Sequence, residues 1–301
     1  MITTIHSGEI LQTEKLVALK KDSHQTISVV IPARNEAATI GSIIKTVRSL
    51  MQPVGLVDEI VVMDDDSEDA TARIAREAGA TVYQVPAAVP SITTRGKGVA
   101  LWKSLFVTTG SLLIFVDADL SNFSTGYLTG LSSALLTNEK LHLVKASYRR
   151  PLMTENGQIE DNGGRVTELM VRPLLNMFIP ELAEIHQPLA GEYALRRSSL
   201  TTHQFYSGYG VEIGLLLEYY FTMGIDTIGQ VELEKRFHRN RPLSELSVMS
   251  SEIALVLFNY LEEHGYCTIT QPGGTINSKG TLRNVPEDVR LPPAAAMQSS
   301  K

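Results

Sequence analysis

The 301-residue chain holds a single cysteine, Cys267, and a single tryptophan. One cysteine excludes an intramolecular disulfide and cannot build a structural zinc site by itself. Long hydrophobic runs are also missing. The longest fall far short of the ~20 apolar residues that a bilayer crossing needs, and no signal-peptide-like apolar region opens the N-terminus. The expectation is a cytoplasmic protein with no membrane partner. A basic surplus is absent too: 27 Lys and Arg stand against 33 Asp and Glu, a formal net charge of −6. That balance argues against sequence-blind nucleic-acid binding, which shows the opposite excess. No internal repeat is evident. The length suits one large α/β domain, or one domain with a small extension, able to bury a full core.

What the chain does have is short apolar runs that end in acidic or polar clusters. Leu112 to Val116 is one, and it stops at Asp117-Ala118-Asp119. Period two places both carboxylates on one side of an extended backbone, a geometry suited to a divalent ion and the nucleotide attached to it. Asp-x-Asp alone equally describes an ordinary strand exit, because Asp favours turns. A second run, Glu59 to Met63, ends in Asp64-Asp65-Asp66-Ser67, and a third, Ile27 to Ile31, in Pro32-Ala33-Arg34-Asn35-Glu36. Strands that all end in polar clusters point to an open α/β sheet with ligands at its carboxyl edge. Between them, Ala37 to Leu50 carries Ile40, Ile43, Ile44 and Val47 at the spacing of one helix face, and Ala70 to Ala78 is rich in helix formers. The pattern is βαβαβ.

Organisation along the chain reads as four parts. Residues 1–24 form an N-terminal extension with a helix over Glu9 to Lys21 that packs outside the domain. Residues 25–147 form the first half of the domain, with further strands at Thr81 to Val85 and His142 to Ala146 and helices at Gly98 to Val107 and Thr125 to Leu136. Residues 148–266 form the second half of the same domain. There the breakers Pro151, Asn156, Gly157, Asn162, Gly163 and Gly164 precede a helix that Asn162 would cap and Pro173 kink or end. Strands are expected over Gln187 to Arg196 and Thr227 to Phe237, helices over Gly210 to Met223 and Pro242 to His264. On the last of these, Leu246, Met249, Ile253, Leu257 and Leu261 line one face as core or as an interface. Residues 267–301, rich in Pro, Gly, Ser and Thr, read as a flexible C-terminal tail.

Local charge differs from the total. Lys145, Arg149, Arg150, Arg165 and Arg172 fall in one span, and Arg236, His238, Arg239 and Arg241 in another. Such clusters either capture small anions or are solvated faces. Gly164-Arg165-Val166-Thr167 lies where a helix should begin, and N–H groups there, with the helix dipole, suit a phosphate or carboxylate. The Gly-Gly pair could equally be a plain flexible turn. His238 beside several donors would be a poor core histidine; as a neutral imidazole it can ligate a metal, or it can be a surface residue.

In order, Pro32-Ala33-Arg34-Asn35-Glu36, Asp64-Asp65-Asp66-Ser67, Arg95-Gly96-Lys97-Gly98 and Asp117-Ala118-Asp119 resemble the nucleotide-sugar glycosyltransferases of the GT-A fold. Later segments narrow this. Tyr148-Arg149-Arg150-Pro151, Gly163-Gly164-Arg165-Val166-Thr167-Glu168, Gln187-Pro188-Leu189-Ala190-Gly191-Glu192-Tyr193, Gly208-Tyr209-Gly210-Val211-Glu212-Ile213 and His238-Arg239-Asn240-Arg241-Pro242-Leu243 together resemble the glucosyl-3-phosphoglycerate synthases. The mannosyl-3-phosphoglycerate synthases are close relatives of these.

The resemblance implies an α/β fold with a mixed central sheet flanked by helices, in which residues 25–147 are the nucleotide-sugar-binding half and residues 148–266 the acceptor-binding half of one catalytic domain. It implies that Pro32, Ala33, Arg34 and Glu36 line the base and ribose pocket, with Asp65 close by and Lys97 reaching the nucleotide. Asp117 and Ala118 would contact the nucleoside, and Arg236 and Arg241 would flank the diphosphate. Asp119 and His238 would ligate the metal, Mg²⁺ first, with Mn²⁺ or Co²⁺ as alternatives. Arg149, Gly164, Arg165, Val166 and Thr167 would hold 3-phosphoglycerate, whose two anions lie three carbons apart.

The activity implied is retaining transfer of glucose from an NDP-glucose, UDP-glucose ahead of GDP-glucose, to the 2-hydroxyl of 3-phosphoglycerate. Glu212, with Tyr209 at the same helix start, would hold the sugar. The backbone carbonyl of Leu189 would face the acceptor hydroxyl and Asn240 would bridge donor and acceptor. A homodimer is implied as well. Three other readings stay open: mannosyl transfer from GDP-mannose, a sugar nucleotidyltransferase and a non-catalytic nucleotide-binding regulator. A nucleotidyltransferase would want a glycine-rich phosphate loop soon after the first strand, and a regulator would leave Gly164 to Thr167 unexplained.

Overall fold

The computed structural model describes residues 2–149, 152–153, 159–160, 164–233, 243–268, 275–276, 282–283 and 289–298. The strands that build its frame are β1 (Thr3–Ile5), β2 (Ile27–Ala33), β3 (Glu59–Asp64), β4 (Thr81–Gln84), β5 (Leu112–Phe115), β6 (Leu143–Ser147), β7 (Tyr193–Arg196), β8 (Phe205–Tyr206), β9 (Ile228–Glu232) and β10 (Arg290–Leu291). Eight of them form one sheet in the order β1-β9-β6-β7-β5-β2-β3-β4. Neighbours are parallel except at β7, which runs antiparallel to both β5 and β6. The fold is therefore α/β with a mixed sheet. Its carboxyl edge collects the ends of β2, β3, β5 and β6, and the reversed β7 starts from that same edge.

Strand pleating divides the core in two. On β2, Val30 packs into the apolar cluster on one face while Ile27, Val29 and Ile31 pack into the cluster on the other. Both faces are covered, which is why these strands read as continuous apolar runs. The helix Ile40–Arg48 buries Ile40, Ile43, Ile44 and Val47, the stripe its sequence spacing predicts. Each such side chain contributes roughly 1.5–3 kcal/mol on full burial. In the helix Leu243–Glu263, Ile253, Leu257 and Leu261 are core, and Met249 packs partly buried against it.

Several boundaries differ from the sequence reading. The N-terminal helix spans Thr13–Asp22, and the residues before it are not merely external: β1 joins the sheet edge, pairing Thr3 with Gly229 and Ile5 with Val231. The stretch from Gln187 is extended only over Tyr193–Arg196; Pro188 and Leu189 form a turn closed by the Ala190 N–H donating to Gln187 O. The helix after Gly164 does not end at Pro173. It runs as a π-helical stretch over Thr167–Val171 and then as α-helix over Arg172–Phe178. Pro173, which has no N–H to give, falls at the changeover.

The largest difference concerns the C-terminal segment. β10 pairs antiparallel with β8, matching Leu291 to Phe205 and Arg290 to Tyr206. Leu291 and Ala294 are buried, and the Trp102 indole N–H donates to Pro292 O at 2.7 Å. Residues 289–298 are thus part of the domain, although composition reads them as tail. Among the described residues no helix is long and apolar enough to cross a membrane.

Candidate active site

The carboxyl edge of the sheet opens into a cleft of about 710 Å³. Pro32, Ala33, Arg34 and Glu36 line it from the end of β2, Asp65 from just past β3, Lys97 from the start of the helix Lys97–Ser104, Asp117, Ala118 and Asp119 from just past β5, and Tyr209 from the loop after β8. Ten donor-site residues expected from the sequence therefore meet in one space. β5 ends at Phe115, and Ala118 and Asp119 lie in a turn rather than on extended backbone. Both carboxylates nonetheless face the cleft.

Short hydrogen bonds latch the two acidic loops together. Asn35 N–H donates to Ser67 Oγ at 3.0 Å, Glu68 N–H to Asn35 Oδ1 at 2.8 Å, and Glu36 N–H to Thr71 Oγ1 at 2.8 Å. Asn35 and Asp66 both take left-handed backbone, which Asn and Asp tolerate better than most residues. Asp66 in turn pairs with Arg95. Arg34 Nη1 lies 3.9 Å from Asp65 Oδ2. Burial pushes the Asp65 carboxyl above the usual range, with Arg34 and Arg95 opposing.

Lys97 joins the two sides of the site. Its Nζ lies 2.6 Å from Asp117 Oδ1 and 2.7 Å from Glu212 Oε1. Burial acts to lower its pKa, but the Asp117 and Glu212 charges override that and hold the ammonium well above the ordinary lysine value. Glu212 stands in the first turn of the helix Val211–Met223 and is 5 % exposed. It is not on the cleft wall; Lys97 stands between it and Asp117. Tyr209 precedes that helix, its N–H donating to Glu252 Oε2 at 3.0 Å.

Behind the cleft, Lys145 on β6 is buried. Its Nζ donates to Ala190 O at 2.6 Å and lies 4.3 Å from the Tyr193 ring centroid. Burial lowers its pKa to about 7, against the pull of Glu212 and Glu192. Gly191, next after Ala190, packs on the Asp117 carboxylate: a Cβ there would lie 2.2 Å from Asp117 Oδ2. Leu189 is half-buried in the same turn and does not line the cleft.

Of the residues expected to hold the acceptor, Arg149 is exposed just past β6, and Gly164, Arg165 and Val166 are half-buried. Glu168 N–H donates to Gly164 O, so the N–H groups of Arg165 to Thr167 precede the first intrahelical bond. The Thr167 hydroxyl is buried, with no hydrogen-bond partner among the described residues. Arg236, His238, Asn240 and Arg241 lie outside the described residues. No group of three or more His, Cys, Asp or Glu among the described residues could hold a metal by itself. Asp119 at the cleft wall still fits a divalent ion, because Mg²⁺ takes one or two carboxylates and completes its shell with phosphate oxygens and water.

Sequence reasoning gave no site role to Glu252, Ser207 and Gly208, nor to Asn35, Thr94, Arg95, Gly96 and Ala100, which also line the cleft. Gly208 sits in a turn-forming Ser-Gly step that could have flagged the loop. Glu252, inside a regular helix, carried no signal.

The comparisons agree with this geometry. Residues 28–175 match the model of glycosyl transferase family 2. A glucosyl-3-phosphoglycerate synthase of Mycolicibacterium smegmatis is 48% identical over 236 residues, 78% of this chain and 77% of that protein. This chain belongs to the glucosyl-3-phosphoglycerate synthase family. The crystal structure of the family's Mycobacterium tuberculosis enzyme, in complex with Mn²⁺, UDP-glucose and phosphoglyceric acid, superposes with a TM-score of 0.87 at 40% identity, covering 98% of this chain and 99% of that one. A mannosyl-3-phosphoglycerate synthase from Rubrobacter xylanophilus gives a TM-score of 0.88 at 34% identity, covering 98% and 97%. The family's fold thus extends through both halves of the sheet and takes in the C-terminal segment.

Proposed function

We propose that this protein transfers glucose from UDP-glucose to the 2-hydroxyl of 3-phosphoglycerate, with retention at the anomeric carbon, giving glucosyl-3-phosphoglycerate. The observation that carries the reading is the cleft itself, lined at one sheet edge by ten residues that the sequence reading expects to bind the donor, in a chain whose likeness to a glucosyl-3-phosphoglycerate synthase covers 78% of its length. Over the same 98% of the chain in structural superposition, the identity of 40% to a glucosyl enzyme against 34% to a mannosyl enzyme favours glucose.

Pro32, Ala33, Arg34, Glu36 and Asp65 receive the nucleoside. Asp119, with His238, would hold a divalent ion, Mg²⁺ in our reading because carboxylate and phosphate oxygens are hard donors. When bound, that ion neutralises charge on the leaving diphosphate. Arg236 and Arg241 flank the same diphosphate, and Glu212 and Tyr209 orient the sugar. Arg149 and the residues Gly164 to Thr167 hold the acceptor, and the buried Thr167 hydroxyl, which has no hydrogen-bond partner among the described residues, supports a ligand oxygen there. Asn240 bridges donor and acceptor.

Asp117 and Glu212 are both ion-paired to Lys97, which blunts either carboxylate as a nucleophile. This supports front-face substitution, in which the Leu189 carbonyl orients the acceptor hydroxyl and tight positioning supplies much of the acceleration. We also read the protein as a cytoplasmic homodimer; light scattering on the purified chain tests the dimer.

The deciding experiment incubates the protein with 3-phosphoglycerate, Mg²⁺ and UDP-glucose, GDP-glucose or GDP-mannose, and identifies products by mass spectrometry. A hexosyl-phosphoglycerate from UDP-glucose is expected. A product formed only from GDP-mannose, or pyrophosphate release, would overturn the assignment.

A further inference from the structure

Lys145 has no part in the chemistry outlined above, yet its burial demands an explanation, because taking an ammonium out of water is costly. A methionine would fill the same volume without that penalty. What the lysine adds is a donor, and its hydrogen bond goes to the backbone carbonyl of Ala190. That carbonyl belongs to the Gln187–Gly191 turn, which is pinned at two further points. Ala190 N–H closes the turn on Gln187 O at 3.0 Å, and Gln187 Nε2 donates to Tyr148 O at 3.2 Å. On its other side, Gly191 lies directly against the Asp117 carboxylate, which Lys97 links to Glu212. The turn is therefore clamped between Lys145 beneath and the donor carboxylate above. Leu189 is the residue next to the clamped carbonyl.

We propose that Lys145 is a positioning residue for transfer: by anchoring Ala190 O it sets the direction of the neighbouring Leu189 carbonyl toward the acceptor hydroxyl. The inference rests on the role given to Leu189 above. The lysine donates whether or not it is protonated, since a neutral amine keeps its N–H groups. Register adds to the case. Lys145 stands directly opposite Tyr193 across the β6–β7 pair, and its ammonium lies over that ring, so the nitrogen has a fixed place from which to reach Ala190.

The test compares full-length wild type with Lys145→Met, using UDP-glucose, Mg²⁺ and 3-phosphoglycerate. Three quantities are read: kcat for transfer, KM for UDP-glucose, and the ratio of UDP-glucose hydrolysis to transfer. A misdirected carbonyl should lower kcat by about tenfold or more, because displacements near 1 Å can cost as much as a hundredfold. KM should stay within about twofold and the ratio should rise, since the donor cleft is intact while the acceptor is poorly aligned. That ratio does not depend on the fraction of folded enzyme, so lost stability alone cannot move it. Lys145→Gln keeps an N–H donor and should fall between the two; it also serves if the methionine variant is insoluble. A folded methionine variant with wild-type kcat and ratio overturns the proposal, as does failure of both variants to fold, which would make Lys145 a core residue only. If wild type itself forms no glucosyl-3-phosphoglycerate, the parent assignment fails instead.

Discussion

Gly98 rests on the carbonyl of Tyr206: a Cβ at Gly98 would lie 1.8 Å from that oxygen. Val99 N–H donates to Ser207 O at 3.1 Å, so the start of the Lys97–Ser104 helix is seated on the backbone that leads to Tyr209. Gly98→Ala must push the two apart. Overpacking of this kind costs about 1–3 kcal/mol. The expected outcome is a lower melting temperature together with weaker UDP-glucose binding, read by thermal shift and calorimetry. An alanine variant with unchanged values for both would show that the two segments move freely.

Lys97 separates two carboxylates that would otherwise face each other. Removing it as Lys97→Met leaves Asp117 and Glu212 partly or fully buried without their cation, a loss of about 3–5 kcal/mol for a buried pair. Glu212→Gln in the same chain should restore part of that stability while turnover stays lost. Glu212→Gln alone should lower kcat sharply with modest change in nucleotide affinity. Chemical denaturation and steady-state kinetics on the three variants check this. A double variant no more stable than Lys97→Met would disprove the ion-pair account.

Asp119→Ala should abolish metal-dependent donor binding. Titration of UDP-glucose with and without Mg²⁺ by calorimetry is the measurement, and an unaltered Mg²⁺-dependent affinity would remove Asp119 from the ligand set.

Lys145 also gives stability a pH dependence of definite sign. Burial holds its folded pKa near 7 while Glu212, Glu192 and Asp117 pull it up and Lys97 pushes it down. In the unfolded chain it titrates near 10.4. Between those values the unfolded state binds more protons, so stability rises with pH. Below about 7 the lysine is charged in both states and adds no slope. Wild type should therefore gain on Lys145→Met between pH 7 and 10 in urea titrations. A difference independent of pH across that window would contradict the burial account.

Much of this was legible in the sequence because it is local. The Ile40 to Val47 stripe, the acidic ends of β3 and β5 and the apolar run of β2 all depend on neighbours a few residues away. Their convergence on one cleft follows from parallel strands sharing a carboxyl edge. Other features are set by distant partners. Nothing near Lys145 in sequence announces that Ala190 O will accept its hydrogen bond, and nothing in helix Leu243–Glu263 marks Glu252 as facing Tyr209. Residues 289–298 escaped for a related reason: they follow a stretch rich in Pro, Gly, Ser and Thr, and the partners that order them are distant, Phe205 for Leu291 and, nearly two hundred residues upstream, Trp102 for Pro292 O. A short segment beside a polar stretch is ordered by the surface it meets.

The antiparallel strand β7 has one more consequence. Asp117 lies two residues past the end of β5 and Arg149 two past the end of β6, and β7 is hydrogen-bonded to both strands. Adjacent strands are held about 4.7–4.9 Å apart, so β5 and β6 stand roughly 10 Å from one another across a single intervening strand. β7 thereby acts as a spacer of fixed width. Under the proposed function, the distance between the donor and acceptor residues at these two strand ends is set by the sheet itself.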